Sequence, residues 1–328
     1  MPPRLGRGLA APDMAAPATS LPAVAVLAVA ALAVTMLATA CSPGPAPAAT
    51  TDSTNVIVAV GAENQYANVI SQIGGKYVHA TAVESNPNTD PHSFEASPSV
   101  ARAIGGAQLV VQNGVGYDAF MNKIEDATPN PARKVIIVQS LLGLPDSTPN
   151  PHLWYMPSAM PAVAKALAAD LAALQPAHAA YFKARQRGFD RSLQPWYRAI
   201  AQFRTAFPGT PVATTEPVGD YMLQAAGTDN LTPFSFQADI MNGVDPPPQD
   251  VALQDSFFSG HKVKAFVYNQ QVTDSLTQSF LSAARRYGIP VVGVYETMPA
   301  HHDYQSWMLA EVQALRRAIT GKTSTEKL

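Results

Sequence analysis

Apolar residues along this chain fall into two rhythms, short β-branched runs and longer stretches that repeat every three or four positions. Residues 55–60 (NVIVAV) read as a buried first strand. The following AENQYANVISQIGGKY puts Tyr66, Val69, Ile70 and Ile73 on one helix face and stops at Gly74-Gly75. Residues 77–83, 109–112 and 134–138 are strands two to four. Ser97-Pro98 offers an N-cap and a first-turn proline to a short helix that Gly105-Gly106 closes, and a further helix carries Phe120 and Ile124. Strands alternating with helices predict a parallel-sheet α/β domain.

From Pro176 to about Phe207 the pattern is helical without interruption. Phe182, Phe189, Leu193, Trp196, Ile200, Phe203 and Phe207 recur at steps of three, four or seven. A helix of that length spans roughly 45 Å, and Pro195 predicts a kink within it. Past Pro208-Gly209 the alternation restarts, with strands at 211–216 (PVATTE), 264–268 (KAFVY) and 289–294 (IPVVGV). A helix (GDYMLQAAG) follows the first of them, and a last helix over 304–319 carries Trp307, Leu309, Val312 and Leu315. The expected architecture is two parallel-sheet α/β lobes joined by a long rigid backbone helix. Residues 55–175 form the first lobe, 176–207 the linking helix, 208–320 the second lobe and 321–328 a tail.

Composition narrows the function. With 328 residues, 47% hydrophobic, the chain can bury two ordinary cores. A formal net charge of −2 and no Lys/Arg run give nucleic acid no footing. A single cysteine, Cys41, rules out an intrachain disulfide and a four-thiolate metal site. GxSxG, P-loop, CxxC and HExxH patterns are absent, and Gly114-Val115-Gly116 lacks the rest of a dinucleotide fingerprint.

At the N-terminus, Arg4 and Arg7 precede an apolar run over 21–37, then Ala38-Thr39-Ala40, Cys41 and the polar stretch SPGPAPAATTDST. This order resembles a bacterial lipoprotein signal, which implies a signal over 1–41, a tether over 42–54 and lipidation of Cys41. Ala38 stands where such signals usually carry Leu, and Met14 offers a second start. The competing reading is an uncleaved transmembrane anchor. Both place the globular part on the extracytoplasmic face of the cell membrane.

Four side chains stand at strand C-terminal ends or in the loops just after them: His92, His152, Glu216 and Glu296. That is where α/β sheets bind ligands. Two imidazoles and two carboxylates make a four-coordinate site for a first-row divalent ion if the lobes face each other. Taken singly, a strand-end Glu is more often solvated or a helix-start charge, and a histidine as often packs or caps. Their joint placement favours the metal. His79, His178, His261 and the His301-His302 pair read as structural or surface residues.

Three motifs carry a resemblance: DPHSFEASPSVARAIGGAQLVVQNGVGYDAF around His92, NPHLWYMPSAMPAVAKAL around His152 and PVATTEPVGDYMLQAAG around Glu216. With GIPVVGVYET before the last helix, the chain from about Asn55 to Ile319 resembles the cluster A-I solute-binding lipoproteins of zinc and manganese ABC importers. The resemblance implies two α/β lobes, a backbone helix and one metal ion bound between the lobes. It puts ligands on His92, His152 and Glu216, with Glu296 where the family commonly has Asp. Asn150 stands where the second motif often begins with Asp, and the long His-rich loop of many zinc-specific members is absent. The implied function is capture of Zn2+ or Mn2+ by a monomer and delivery to an ABC permease, without catalysis. The alternatives are a secreted metallohydrolase, with a carboxylate as general base, and a surface adhesin or siderophore-type binder, which would need a broad apolar cleft.

Overall fold

Two four-stranded sheets, each wholly parallel, carry the described part of the chain. The computed structural model describes residues 56–88, 90–91 and 94–328. The proposed signal and tether, Cys41 and His92 lie outside the described residues.

In the first lobe, β1 (Ile57–Glu63), β2 (Val78–Glu84), β3 (Leu109–Gln112) and β4 (Lys134–Ile137) lie in the order β2-β1-β3-β4. Helices α1 (Asn64–Gly74), α2 (Pro98–Gly106) and α3 (Ala119–Ala127) connect them. A four-residue turn of helix, α4 (Val138–Leu141), takes over the last residue expected in strand four. The α1 face is the one its periodicity requires, with Tyr66, Val69, Ile70 and Ile73 all fully buried. It ends because Gly75 adopts φ +52°, a left-handed turn that other residues resist. Ser97 caps α2 through its hydroxyl, which accepts the Val100 N–H.

Helix α5 (Ala159–Leu174) leads into the expected linking segment, which is not one continuous helix. It comprises a 3-10 turn (Pro176–His178), α6 (Ala179–Ser192) and α7 (Gln194–Ala206), which meet at Leu193. Pro195 has no N–H to give to Arg191, so the ladder yields two residues ahead of it. The helical bonds nevertheless run across the break, Leu193 donating to Phe189 and Tyr197 donating to Leu193.

The second lobe repeats the first. Strands β5 (Pro211–Thr214), β6 (Asp229–Asn230), β7 (Ala265–Asn269) and β8 (Val291–Val294) take the order β6-β5-β7-β8. Around them lie α8 (Asp220–Ala225), α9 (Phe234–Met241), α10 (Pro248–Ser259), α11 (Ser275–Arg286) and α12 (Tyr304–Gly321). Capping boxes start the last two, Asp274 with Thr277 and Asp303 with Ser306. Residues past α12 add to the β8 edge, where Thr325 bonds to Val291 and Gly293. Among the described residues no helix is long and apolar enough to cross a membrane.

Each lobe keeps a small private core, but the largest apolar cluster belongs to both. It unites α1, α5, α6, α7 and α12 with strand residues of both sheets and contains Trp154, Trp196 and Trp307, all fully buried. Burying each Val, Leu, Ile, Phe or Met side chain of this cluster contributes roughly 1.5–3 kcal/mol, so the lobes are packed together rather than tethered. The two equivalent strand orders point the C-terminal ends of β1, β3, β5 and β7 at the switch points where α/β sheets hold ligands.

Gly61 fixes how closely β1 approaches α1: a Cβ there would lie 2.4 Å from the Ala67 nitrogen. Gly61→Ala is expected to reduce unfolding free energy by about 1–3 kcal/mol, measured by urea denaturation. An unchanged midpoint would mean that the strand and helix separate without cost.

Candidate functional site

His152 and Glu296 meet inside the protein, Nε2 to Oε2 at 3.3 Å, with both side chains fully buried. His152 lies in the loop after α4, just before a 3-10 turn (Leu153–Tyr155), and Glu296 follows β8. Asn150 settles the state of the imidazole. Its Nδ2 donates to the Pro217 carbonyl at 2.7 Å, and its Oδ1 accepts the His152 backbone N–H at 3.0 Å. With the amide oriented by those two contacts, Oδ1 faces His152 Nδ1 at 2.8 Å, so Nδ1 carries the hydrogen. In neutral His152 the Nε2 lone pair is then aimed at a carboxylate oxygen. Two acceptors at that distance need a proton or a cation between them.

The rest of Glu296 is held from several sides. Tyr117 donates its hydroxyl to Oε2 at 2.9 Å, and Asn269 donates to Oε1 at 2.8 Å. Gln271 Oε1 accepts the backbone N–H groups of Glu296 and Thr297, while Gln65 donates to the Glu296 carbonyl at 3.1 Å. Burial, reinforced by the charges of Glu296, Glu84 and Glu63, pushes the Tyr117 hydroxyl well above its usual range. It therefore stays a neutral donor.

Glu216 arrives by a second route. It follows β5, is 2% exposed, and accepts from Asn269 Nδ2 at 2.5 Å. The amide of Asn269, at the end of β7, thus bridges the two carboxylates. Asn269 is aligned in turn by Gln271, whose N–H donates to its Oδ1 at 3.0 Å. Of the four expected ligands, His152 and Glu296 are in contact, Glu216 joins them through Asn269, and His92 lies outside the described residues. Among the described residues no three His, Cys, Asp or Glu side chains are placed to hold a metal ion together.

Tyr117 reaches the site through the glycine pair that fits no nucleotide fingerprint. Gly114, Val115 and Gly116 all have positive φ, at 84°, 56° and 76°. For a β-branched valine that is a strained conformation, and it is held by Gln139 Oε1, which accepts the Val115 N–H at 2.6 Å. Asp118 braces the loop by accepting N–H groups from Asn113 and Gly114. Burial raises the Asp118 carboxyl to about 6 despite those bonds. Asn113 donates to the Pro151 carbonyl, fixing the peptide ahead of His152. Sequence reasoning missed Tyr117, Asn113 and Gln271. Asn269 carried a signal, since it ends a strand as the candidate acids nearly do.

A cleft of about 360 Å³ opens beside this centre, bordered by Glu84, Pro91, Phe94, Tyr117, Pro151 and Asn242. His79, His261 and His301 are exposed. His178 stacks on Tyr77 with ring centroids 3.8 Å apart, a packing role.

Asn269→Leu removes the amide that bridges two buried carboxylates. At neutral pH the metal-free variant is expected to lose about 2 kcal/mol or more of stability. The deficit should shrink on acidification, because protonated carboxyls no longer repel. Urea unfolding in chelator at low and neutral pH checks it, and a deficit that grows with acid would refute the bridging role.

The family model for zinc-uptake complex component A, periplasmic (ZnuA), matches residues 60–318. A Thermotoga maritima protein provisionally described as metal-binding is 30% identical over 94 residues, 29% of this chain and 33% of that one. This chain therefore spans about a third of the length of the curated relative it matches. Among solved structures, the periplasmic zinc-binding protein TroA from Treponema pallidum superposes with TM-score 0.66 at 17% identity, over 82% of this chain and 100% of that one. The solute-binding protein FpvC from Pseudomonas aeruginosa, in complex with Mn2+, gives TM-score 0.66 at 19% identity, over 82% and 99%. Identities this low speak for the fold.

Proposed function

The chain belongs to the ZnuA family of periplasmic zinc-uptake components, and from that premise we propose that it captures one divalent transition-metal ion and passes it to an ABC permease. The ion is cargo, bound by His152 and Glu296 with His92 and Glu216. The single observation that carries this reading is the buried pair in which His152 Nε2 and Glu296 Oε2 face each other at 3.3 Å with Nδ1 already engaged by Asn150. A divalent cation satisfies both lone pairs at once.

The donor set fits zinc or manganese. Imidazole suits zinc, and added carboxylates make the site harder and more tolerant of manganese. TroA is named for zinc and FpvC was solved with Mn2+, so supply in the cell is the deciding variable. The centre is closed and polar, with Glu216, Glu296 and His152 at 2% exposure or less. That favours a bare ion over a siderophore-sized ligand. Each carboxylate has an oxygen on Asn269, an arrangement that favours holding an ion over abstracting a proton, so the protein is read as a binder without turnover.

In the same reading, residues 1–41 are the lipoprotein signal, 42–54 the tether and Cys41 the lipid anchor. The globular part works as a monomer on the extracytoplasmic face. The shared core across the lobes favours release by local shifts at Glu216, Asn269 and Glu296 rather than by a wide opening.

Elemental analysis of the full chain, loaded separately with Zn2+ and Mn2+ and then desalted, is expected to find about one ion per chain with at least one metal. His152→Ala should abolish retention. Asn150→Ala, which frees the imidazole, should weaken binding by about 10–100-fold in competition with a chelator. No retained metal from either loading would overturn the proposal.

A further inference from the structure

Glu311, on the inner face of α12, is fully buried and makes no direct contact with His152, Glu216 or Glu296 among the hydrogen bonds of the described residues. Its Oε1 accepts the Trp307 indole N–H at 2.6 Å and lies 2.8 Å from the Tyr155 hydroxyl oxygen. Its Oε2 is buried with no hydrogen-bond partner among the described residues. Tyr155 closes the 3-10 turn that begins one residue after His152. Its hydroxyl oxygen also lies 2.9 Å from the Tyr295 carbonyl and accepts the Tyr295 N–H at 3.2 Å. Tyr295 immediately precedes Glu296.

Counting protons separates two states. Tyr155 has one hydroxyl hydrogen and two acceptors within reach, the Tyr295 carbonyl and Glu311 Oε1. When Glu311 is a neutral acid protonated on Oε1, it donates to Tyr155, and the tyrosine hydrogen is free to bond the Tyr295 carbonyl. Every polar atom linking Glu311, Tyr155 and the Tyr295 peptide is then satisfied except Oε2, which as a carbonyl oxygen tolerates burial better than a charged one. When Glu311 is ionised, its carboxylate takes the tyrosine hydrogen and the Tyr295 carbonyl loses its donor. Burial lifts the Glu311 carboxyl to about 8, with the Tyr155 and Trp307 bonds opposing the shift. The ionisable groups that face it are the phenols of Tyr155, Tyr295 and Tyr304, all themselves raised by burial first. Glu296 lies one step further, acting on Tyr155.

We infer that Glu311 is a positioning residue for the proposed metal centre: through the Tyr155 hydroxyl, its carboxyl group governs the Tyr295 peptide and with it the placement of Glu296 against His152. This rests on the metal-capture reading above and adds to it a control on how firmly the ion is held. The sign follows from the proton count. The neutral acid keeps Tyr155 on the Tyr295 carbonyl and retention firm. Ionisation, as pH rises through about 8, loosens it.

The test is stopped-flow release of Zn2+ into a chelator from the full chain, between about pH 6.5 and about pH 9.5. Wild-type release is expected to accelerate by roughly fivefold or more across that range. Glu311→Gln, whose amide can donate to Tyr155 at every pH, should release slowly throughout and so flatten the profile. Tyr155→Phe should release fast throughout. A Glu311→Gln variant that keeps the wild-type pH profile would overturn the inference, even if Tyr155→Phe fails to fold. Wild type that holds no metal would instead defeat the capture reading. The Glu311–Tyr155 coupling is then decided in metal-free protein by the Tyr155 ring-carbon NMR shift. A titration near pH 8 that vanishes in Glu311→Gln supports it, and no such titration refutes it.

Discussion

The contact of His152 Nε2 with an oxygen of Glu296, both side chains fully buried, is the constraint around which the rest of this site is arranged. Left to themselves, an imidazole acceptor and a carboxylate acceptor would turn apart or be hydrated, because burying either without a donor costs several kcal/mol. Here neither can turn. Asn150 holds the imidazole by Nδ1, while Tyr117 and Asn269 hold the carboxylate by both oxygens. The pair needs a proton or a cation between its facing atoms, which is the chemistry the proposed cargo site draws on.

Holding that pair requires both lobes, since His152 belongs to one and Glu296 to the other. The contacts that do so are polar where the site is and apolar behind it. Asn150 donates to Pro217, the residue after Glu216, and its carbonyl accepts the Tyr221 hydroxyl at 2.9 Å. Asn64 exchanges two bonds with the Met298 backbone. Behind these, the three tryptophans sit in one core that runs from α1 through α7 to α12. Such packing is bistable rather than elastic, so a change at the centre is transmitted by discrete hydrogen-bond exchanges more readily than by a swing of whole lobes.

Acidic groups buried around the centre share one bias. Glu63 and Asp118 are raised chiefly by burial, Glu63 further by Asp118 and Glu84, and Glu311 to about 8. Neither oxygen of Glu63 has a hydrogen-bond partner among the described residues. A carboxyl whose folded pKa lies above its unfolded one binds protons more tightly in the folded state. Its contribution to stability is full below the unfolded pKa and declines as pH rises through the folded one. The surroundings of the proposed cargo site therefore carry less negative charge than the count of acids suggests, which limits the repulsion among them.

Sequence alone determined the parts whose cause is local. The β-branched runs became parallel strands, the Tyr66–Ile73 periodicity became the buried face of α1, and Ser97 with Pro98 started α2, because propensity, capping and burial act over a few residues. It also marked His152, Glu216 and Glu296, since residues at strand ends in α/β sheets converge whatever the details. In the linking segment the apolar stripe continues straight through the break at Leu193, and Pro195 was the local signal that announced it. Local signals did not mark α9 or α10, whose apolar positions give weak patterns, nor α11, whose pattern is strong. Only the tertiary structure decided that Asn269 would stand between two carboxylates, that Asn150 would choose the tautomer of His152, and that Tyr117 and Glu311 would act at or near Glu296. Those partners lie up to 179 positions apart in the chain. A hydrogen bond across such a distance leaves no period in the sequence; it exists because two folded lobes bring a donor and an acceptor together where water cannot compete.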